Sequence, residues 1–155
     1  MLPLEGYLAS LNEQLADHLR SPVRNASNAE LARDFWTSAE MNQLPYQRGA
    51  LLALWVDSEV RRASAGQRNL DHLMRALVAR GRTGERVNTD MLLTLIQSET
   101  SAGFARELRR MVVEGFPFEL PVGVLAPCME GRAKPGGQGA ASFEIARRET
   151  CAGVL

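Results

Sequence analysis

Lysine is almost missing from this sequence: Lys134 is the single one among 18 basic side chains, which face 18 acidic ones for a net charge of zero. Balanced charge removes the main physical reason to expect nucleic acid as a partner, because phosphate neutralisation needs a basic surface. The preference for arginine reads as genomic base composition rather than function. No apolar run approaches the roughly 20 residues that cross a bilayer. No basic stretch followed by an apolar one marks a signal peptide at the N-terminus, so no membrane partner is expected either. Cysteine is scarce, with only Cys128 and Cys151. Two are too few for a disulfide framework and lack the spacing of a zinc site. One disulfide between them stays open, but two free thiols in a reducing, cytoplasm-like compartment are the expectation. Histidine is equally scarce, with His18 and His72 each alone on its segment, and no His-Glu-x-x-His signature occurs. No metal site is therefore expected in this chain.

What is present is apolar periodicity. The 155 residues are 45% hydrophobic and 23% charged, enough for one domain with a sizeable core. Leu4, Tyr7, Leu8, Leu11, Leu15 and Leu19 form the stripe of an amphipathic helix that Ser21-Pro22 ends. Ser27 with Glu30 reads as a capping box for a second helix, which turns Leu31, Phe35 and Trp36 inward and fades near Asn42. A third helix is expected from Tyr46 to Ala63. Its apolar residues Leu51, Leu52, Leu54, Trp55, Val56 and Val60 wrap much of the circumference, as in a central helix, and Gly66 stops it. Asn69, Asn88 or Thr89, and Ser101 are the caps of three further helices, the last closed by Gly115. The expected fold class is all-α: a bundle of about six antiparallel helices with an extended C-terminal segment and a flexible tail.

The character changes at Phe116. Pro117 and Pro121 exclude a helix and predict an extended segment across the bundle. Residues 131–142, rich in Gly and Ala, read as a linker. Short strands are expected at Ser142–Ile145 and from Ala152, neither closing a sheet. The domain boundaries that follow are 1–128 for the helical bundle and 129–155 for a Gly-rich linker and the start of a further module.

The most informative segment is Leu44-Pro45-Tyr46-Gln47-Arg48-Gly49, running into Ala50-Leu51-Leu52-Ala53-Leu54-Trp55. A turn-forming proline is expected to deliver Tyr46 to the start of the apolar helix. Together with Val60-Arg61, Asn69-Leu70-Asp71-His72-Leu73-Met74-Arg75, Val113-Glu114-Gly115 and Leu120-Pro121, this order resembles the C-terminal helical region of the glycyl aminopeptidase family. Those are zinc metallopeptidases related to aminopeptidase N and thermolysin. The resemblance covers about Leu4 to Cys128. It implies a subdomain that walls a peptide cleft and supplies Tyr46 as a hydrogen-bond donor to the oxyanion, with Arg48 and Gly49 on the substrate side. It also implies zinc in the full-length enzyme, held by a catalytic domain that would be this chain's partner along with the peptide substrate. Two departures stand out: the family's metal motif has no counterpart here, and the PDZ-like module that often follows is represented only by its opening strands. The chain alone is accordingly expected to be inactive.

Plainer readings stand beside these. Tyr46 can be a tyrosine with buried body and wet hydroxyl at a helix start, and Arg48 a solvated charge. His72 and His18 read as surface or half-buried histidines, because no second ligand lies one turn away. Asp57 and Glu59, two apart, point to different helix faces and suit Arg61 and Arg62 as partners better than acid–base chemistry. Phe116, Phe118 and Val122 either cover their own bundle or form a docking patch. The competing function is a non-catalytic helical module that binds a protein partner.

Overall fold

A computed structural model describes residues 3–121, 123–126, 128–133 and 143–151. The molecule is mostly helical: α1 (Leu4–Arg20), α2 (Asn28–Asp34), α3 (Ala39–Ala63), α4 (Leu70–Arg82), α5 (Thr89–Glu99) and α6 (Ala102–Val112). Punctuation sets the starts. Ser27 and Glu30 form the reciprocal capping box of α2, and the side chains of Asn88 and Ser101 accept hydrogen bonds from Met91 N and Phe104 N at 2.9 and 3.1 Å. Gly66, with φ +82°, follows the end of α3, and its N–H reaches back to the Arg61 carbonyl.

Two helices depart from their expected course. α2 ends at Asp34, where Thr37 donates through both its backbone N–H and its hydroxyl to the Asp34 carbonyl. That turn leaves Trp36 87% exposed instead of inward. α3 then begins at Ala39 rather than Tyr46, because the Ser38 hydroxyl caps it by accepting from Met41 N. Pro45 consequently lies inside a helix, where it forfeits one backbone bond, a cost of about 3 kcal/mol. Complete burial of its neighbour Leu44, about 1.5–3 kcal/mol, offsets part of that cost.

α3 is the central rod. Leu51, Leu54, Trp55, Val56 and Val60 are buried in one core with Leu8, Leu11 and Leu15 of α1, Leu73 and Leu77 of α4, Leu95 and Ile96 of α5, and Phe104 and Leu108 of α6. The extended segment after α6 crosses this core as its prolines require. Phe118 is buried with its ring centroid 5.8 Å from that of Trp55, while Phe116 lies half-exposed under the Arg110 guanidinium, 4.0 Å from its ring centroid. Val122 lies outside the described residues. Gly115, at φ +76°, sits where a Cβ would meet Asn25 O at 2.5 Å, so the 21–27 turn is clamped against the start of this segment.

The C-terminal residues form more sheet than their composition suggests. Strands β1 (Gly123–Ala126), β2 (Met129–Ala133) and β3 (Phe143–Arg147) make one antiparallel sheet in that order, with Gly131 opposite Ile145. The strand expected to stand unpaired therefore closes a sheet, and position 128/129 falls between β1 and β2 of it. The rest of the expected linker, from 134, and the strand expected from Ala152 lie outside the described residues. The sheet rests on the helices through Leu125 and Ile145, both essentially inaccessible. Asn12 of α1 joins it as a surrogate strand. Its Oδ1 accepts from Ile145 N at 2.8 Å and its Nδ2 donates to Ile145 O at 2.7 Å, satisfying both backbone groups of Ile145 on the edge of β3. Arg148 N donates to Cys128 O, so pairing of β2 with β3 brings the following chain beside Cys128. Cys128 is disulfide-bonded, which corrects the expectation of free thiols and removes its support for a reducing compartment.

Candidate functional site

The resemblance singles out three neighbours on α3, and helical geometry separates them. At 100° per residue, Arg48 points some 200° away from Tyr46 around the helix. Tyr46 is 67% exposed, so its phenol stands free on the outer face. Gly49 is exposed, and among the described residues nothing beyond its own stretch of helix lies within 4 Å of where its Cβ would be, so it serves no close approach there.

Arg48 is not the solvated charge its residue type suggests. It is 4% exposed, and its Nη1 donates to Ala26 O at 2.6 Å, tying α3 to the turn before α2. The reason is its row: Leu44, Arg48, Leu51 and Trp55 follow at four- and three-residue steps, and all are buried. That geometry takes Arg48 off any surface a peptide chain could lie against in this chain. Burial also holds its pKa below the usual guanidinium value.

On the face that Tyr46 shares, the next residues in the row are Ala50, Ala53 and Asp57. Small side chains there leave a groove of about 390 Å³ between α3 and α1, lined also by Tyr7, Leu11, Gln14 and Leu70. Asp57 closes one end in a fixed pose: Oδ1 accepts from Leu70 N at 2.8 Å, at the start of α4, and Oδ2 from Arg61 Nε at 2.7 Å. Glu59 pairs with Arg62 instead. The two carboxylates thus serve separate arginines, as their spacing predicts. The two alanines one turn apart, opposite the leucine row, are the sequence signal for this groove, and residue-type reasoning passes over them.

The histidines diverge. His72 is exposed beside its cap, with Nδ1 2.7 Å from Asn69 Oδ1. His18 is not a surface group: it is fully buried, edge-on to Phe118 with ring centroids 5.8 Å apart. Its row, Leu8, Leu11, Leu15, His18, is the apolar stripe of α1 continued. Neither ring nitrogen has a hydrogen-bond partner, and burial, with Arg48 and then Arg24 nearby, lowers its pKa to about 4. Among the described residues, no group of three or more His, Cys, Asp or Glu could hold a metal ion. No described helix is long and apolar enough to cross a membrane. Comparison with protein-family models and with curated proteins finds no match.

Proposed function

We propose that this chain is the helical C-terminal subdomain of a glycyl-aminopeptidase-like zinc metallopeptidase, where it walls one side of the peptide cleft. The observation that carries this reading is the exposed phenol of Tyr46, held on the outer face of a rigid central helix and followed along that face by the Ala50–Ala53 groove. A cleft wall needs that combination: a fixed polar donor, and beside it a shallow trough in which a chain can lie. The Tyr46 hydroxyl donates a hydrogen bond to the oxyanion that develops on the scissile carbonyl. A donor held in place before the charge forms lowers the barrier by about 2.7–4 kcal/mol. On this reading zinc is the cofactor of the parent enzyme, held by its catalytic domain. The chain alone is inactive on this reading.

The test is Tyr46→Phe in the parent enzyme. Turnover falls by about 10²–10³ while bound metal stays stoichiometric. Equal turnover in the variant removes Tyr46 from the mechanism.

Trp36, 87% exposed with its ring edge-on to Phe35, favours a second reading, a non-catalytic helical module that docks on a protein. Tryptophan dominates interfaces when desolvated by a partner. The readings separate by titrating the chain with a short peptide and following backbone amide resonances. Shifts at Tyr46, Ala50 and Ala53 favour the cleft wall; a silent groove favours the docking module.

A further inference from the structure

The polar junction behind α3 gathers positive charge that no acid balances among the described residues. Arg48 is a buried guanidinium whose single hydrogen bond goes to the Ala26 carbonyl, and among the described residues it has no carboxylate partner. Its Nε and Nη2 make no hydrogen bond among the described residues. A buried cation without a counter-charge is among the more expensive arrangements in a protein interior. Arg24, half-buried on the turn that Arg48 holds, spends Nη1 on the Leu19 carbonyl and carries a second positive charge to the same place. The two acids that flank this turn in the chain are engaged elsewhere: Asp17 with Arg20 at the surface, and Glu30 in the capping box of α2.

The surrounding polar groups are unpartnered as well. Ser21 is 8% exposed, and its Oγ makes no hydrogen bond; its carbonyl accepts from Arg24 N, so hydroxyl and guanidinium belong to one turn. His18, one turn earlier and fully buried, leaves both ring nitrogens unbonded. Two guanidiniums, a hydroxyl and an imidazole thus sit on one turn and the helix tied to it, and among the described residues no acid pairs with either guanidinium. Every one can donate to an oxygen anion, and the planar forks of arginine match carboxylate and phosphate geometry.

We propose that the junction of the α1 C-terminus, the 21–26 turn and α3 binds a small oxyanion, a carboxylate or a phosphate, clamped by Arg48 and Arg24 with Ser21 and His18 against it. The site is distinct from the outer face of α3 that carries Tyr46, and it stands whether or not the peptidase reading does. Its occupant is a small free oxyanion, either inorganic phosphate or a small carboxylate.

The experiment titrates the 155-residue chain with sodium phosphate, and separately with sodium acetate, each against sodium chloride at equal ionic strength. Unfolding temperature and the His18 ring resonances are followed. Saturable stabilisation and saturable His18 shifts are expected with at least one oxyanion and not with chloride. Phosphate alone identifies an inorganic-phosphate-type site; acetate alone, or both alike, identifies a carboxylate-type site. Arg24→Gln removes one charged donor and weakens binding about tenfold or more. Should that variant fail to fold, Ser21→Ala gives the same comparison by deleting one oxygen. A response to neither anion, or an equal response in the variant, overturns the proposal.

Discussion

The two faces of α3 share one backbone and differ in everything else. Inward, Leu44, Arg48, Leu51, Trp55 and Ser58 form a continuous buried row. Outward, Tyr46, Ala50, Ala53 and Asp57 form a partly open row of small and polar residues beside a groove. The inner row joins the helix to the core; the outer row is anchored at Asp57 to the start of α4 and leaves Tyr46 and the groove open to solvent. Stability and function therefore separate by face on the same helix, and substitutions on the two rows answer different questions.

The sharpest break of that contrast is Leu51→Ala. Leu51 is completely buried in the shared core, and removing its side chain there costs about 2–5 kcal/mol, since the neighbours collapse only in part. Denaturant unfolding reads the loss directly. A loss under about 1 kcal/mol would mean that the inner row does not organise the core.

Acid is the next probe of the buried side, through His18. Its pKa is lowered from 6.5 to about 4, first by burial and then by Arg48 and Arg24, while the unfolded chain keeps the ordinary value. The unfolded state thus binds the proton earlier. Stability is whole above about pH 6.5 and falls as pH drops toward 4, by about 3 kcal/mol in all. Urea unfolding at a series of pH values checks this, and His18→Leu flattens that limb. A saturating oxyanion at the Arg24–Arg48 junction shifts the same limb to lower stability loss, because an anion beside the ring favours the charged imidazole.

These groups show what was legible. Period identified Leu8, Leu11 and Leu15 on α1 and Leu51 and Trp55 on α3; in the structure His18 continues the first row and Leu44 and Arg48 the second. Residue type argued for solvent at both positions, and period prevailed, because a helix cannot turn one side chain of a buried stripe outward. Caps were equally readable, since Ser27–Glu30, Asn88 and Ser101 act through local hydrogen bonds. The start of α3 was not. Pro45 is a strong local signal, but Ser38 and the burial of Leu44 outweigh it, and burial is a tertiary fact. The sheet was hidden for the same reason: β2, Met-Glu-Gly-Arg-Ala, has little strand propensity and is held by its neighbours. The groove was missed because alanines announce nothing on their own.

Asn12 tests how the sheet is attached. Asn12→Ala leaves the Ile145 N–H and carbonyl without partners at a partly buried edge, costing about 1–3 kcal/mol. Amide exchange at Ile145 accelerates, while exchange in α5 and α6 follows only the global loss. Unchanged protection at Ile145 would show that the sheet is held by Leu125 and its apolar contacts alone.

The smallest effect is expected where the functional reading is concentrated. Tyr46→Phe deletes one hydroxyl from an exposed side chain, and no hydrogen bond within the described chain involves that oxygen. Surface changes of this kind move stability by no more than about 0.5 kcal/mol. The unfolding midpoint of the variant should therefore match the native one, in contrast to Leu51→Ala on the opposite face. That near-silence gives the substitution its value. A loss of turnover in the parent enzyme without a loss of stability cannot be assigned to a weakened fold, so it reports on the phenol itself. A variant that is clearly less stable would instead put Tyr46 on the structural side of α3, and the contrast between the two faces would no longer hold.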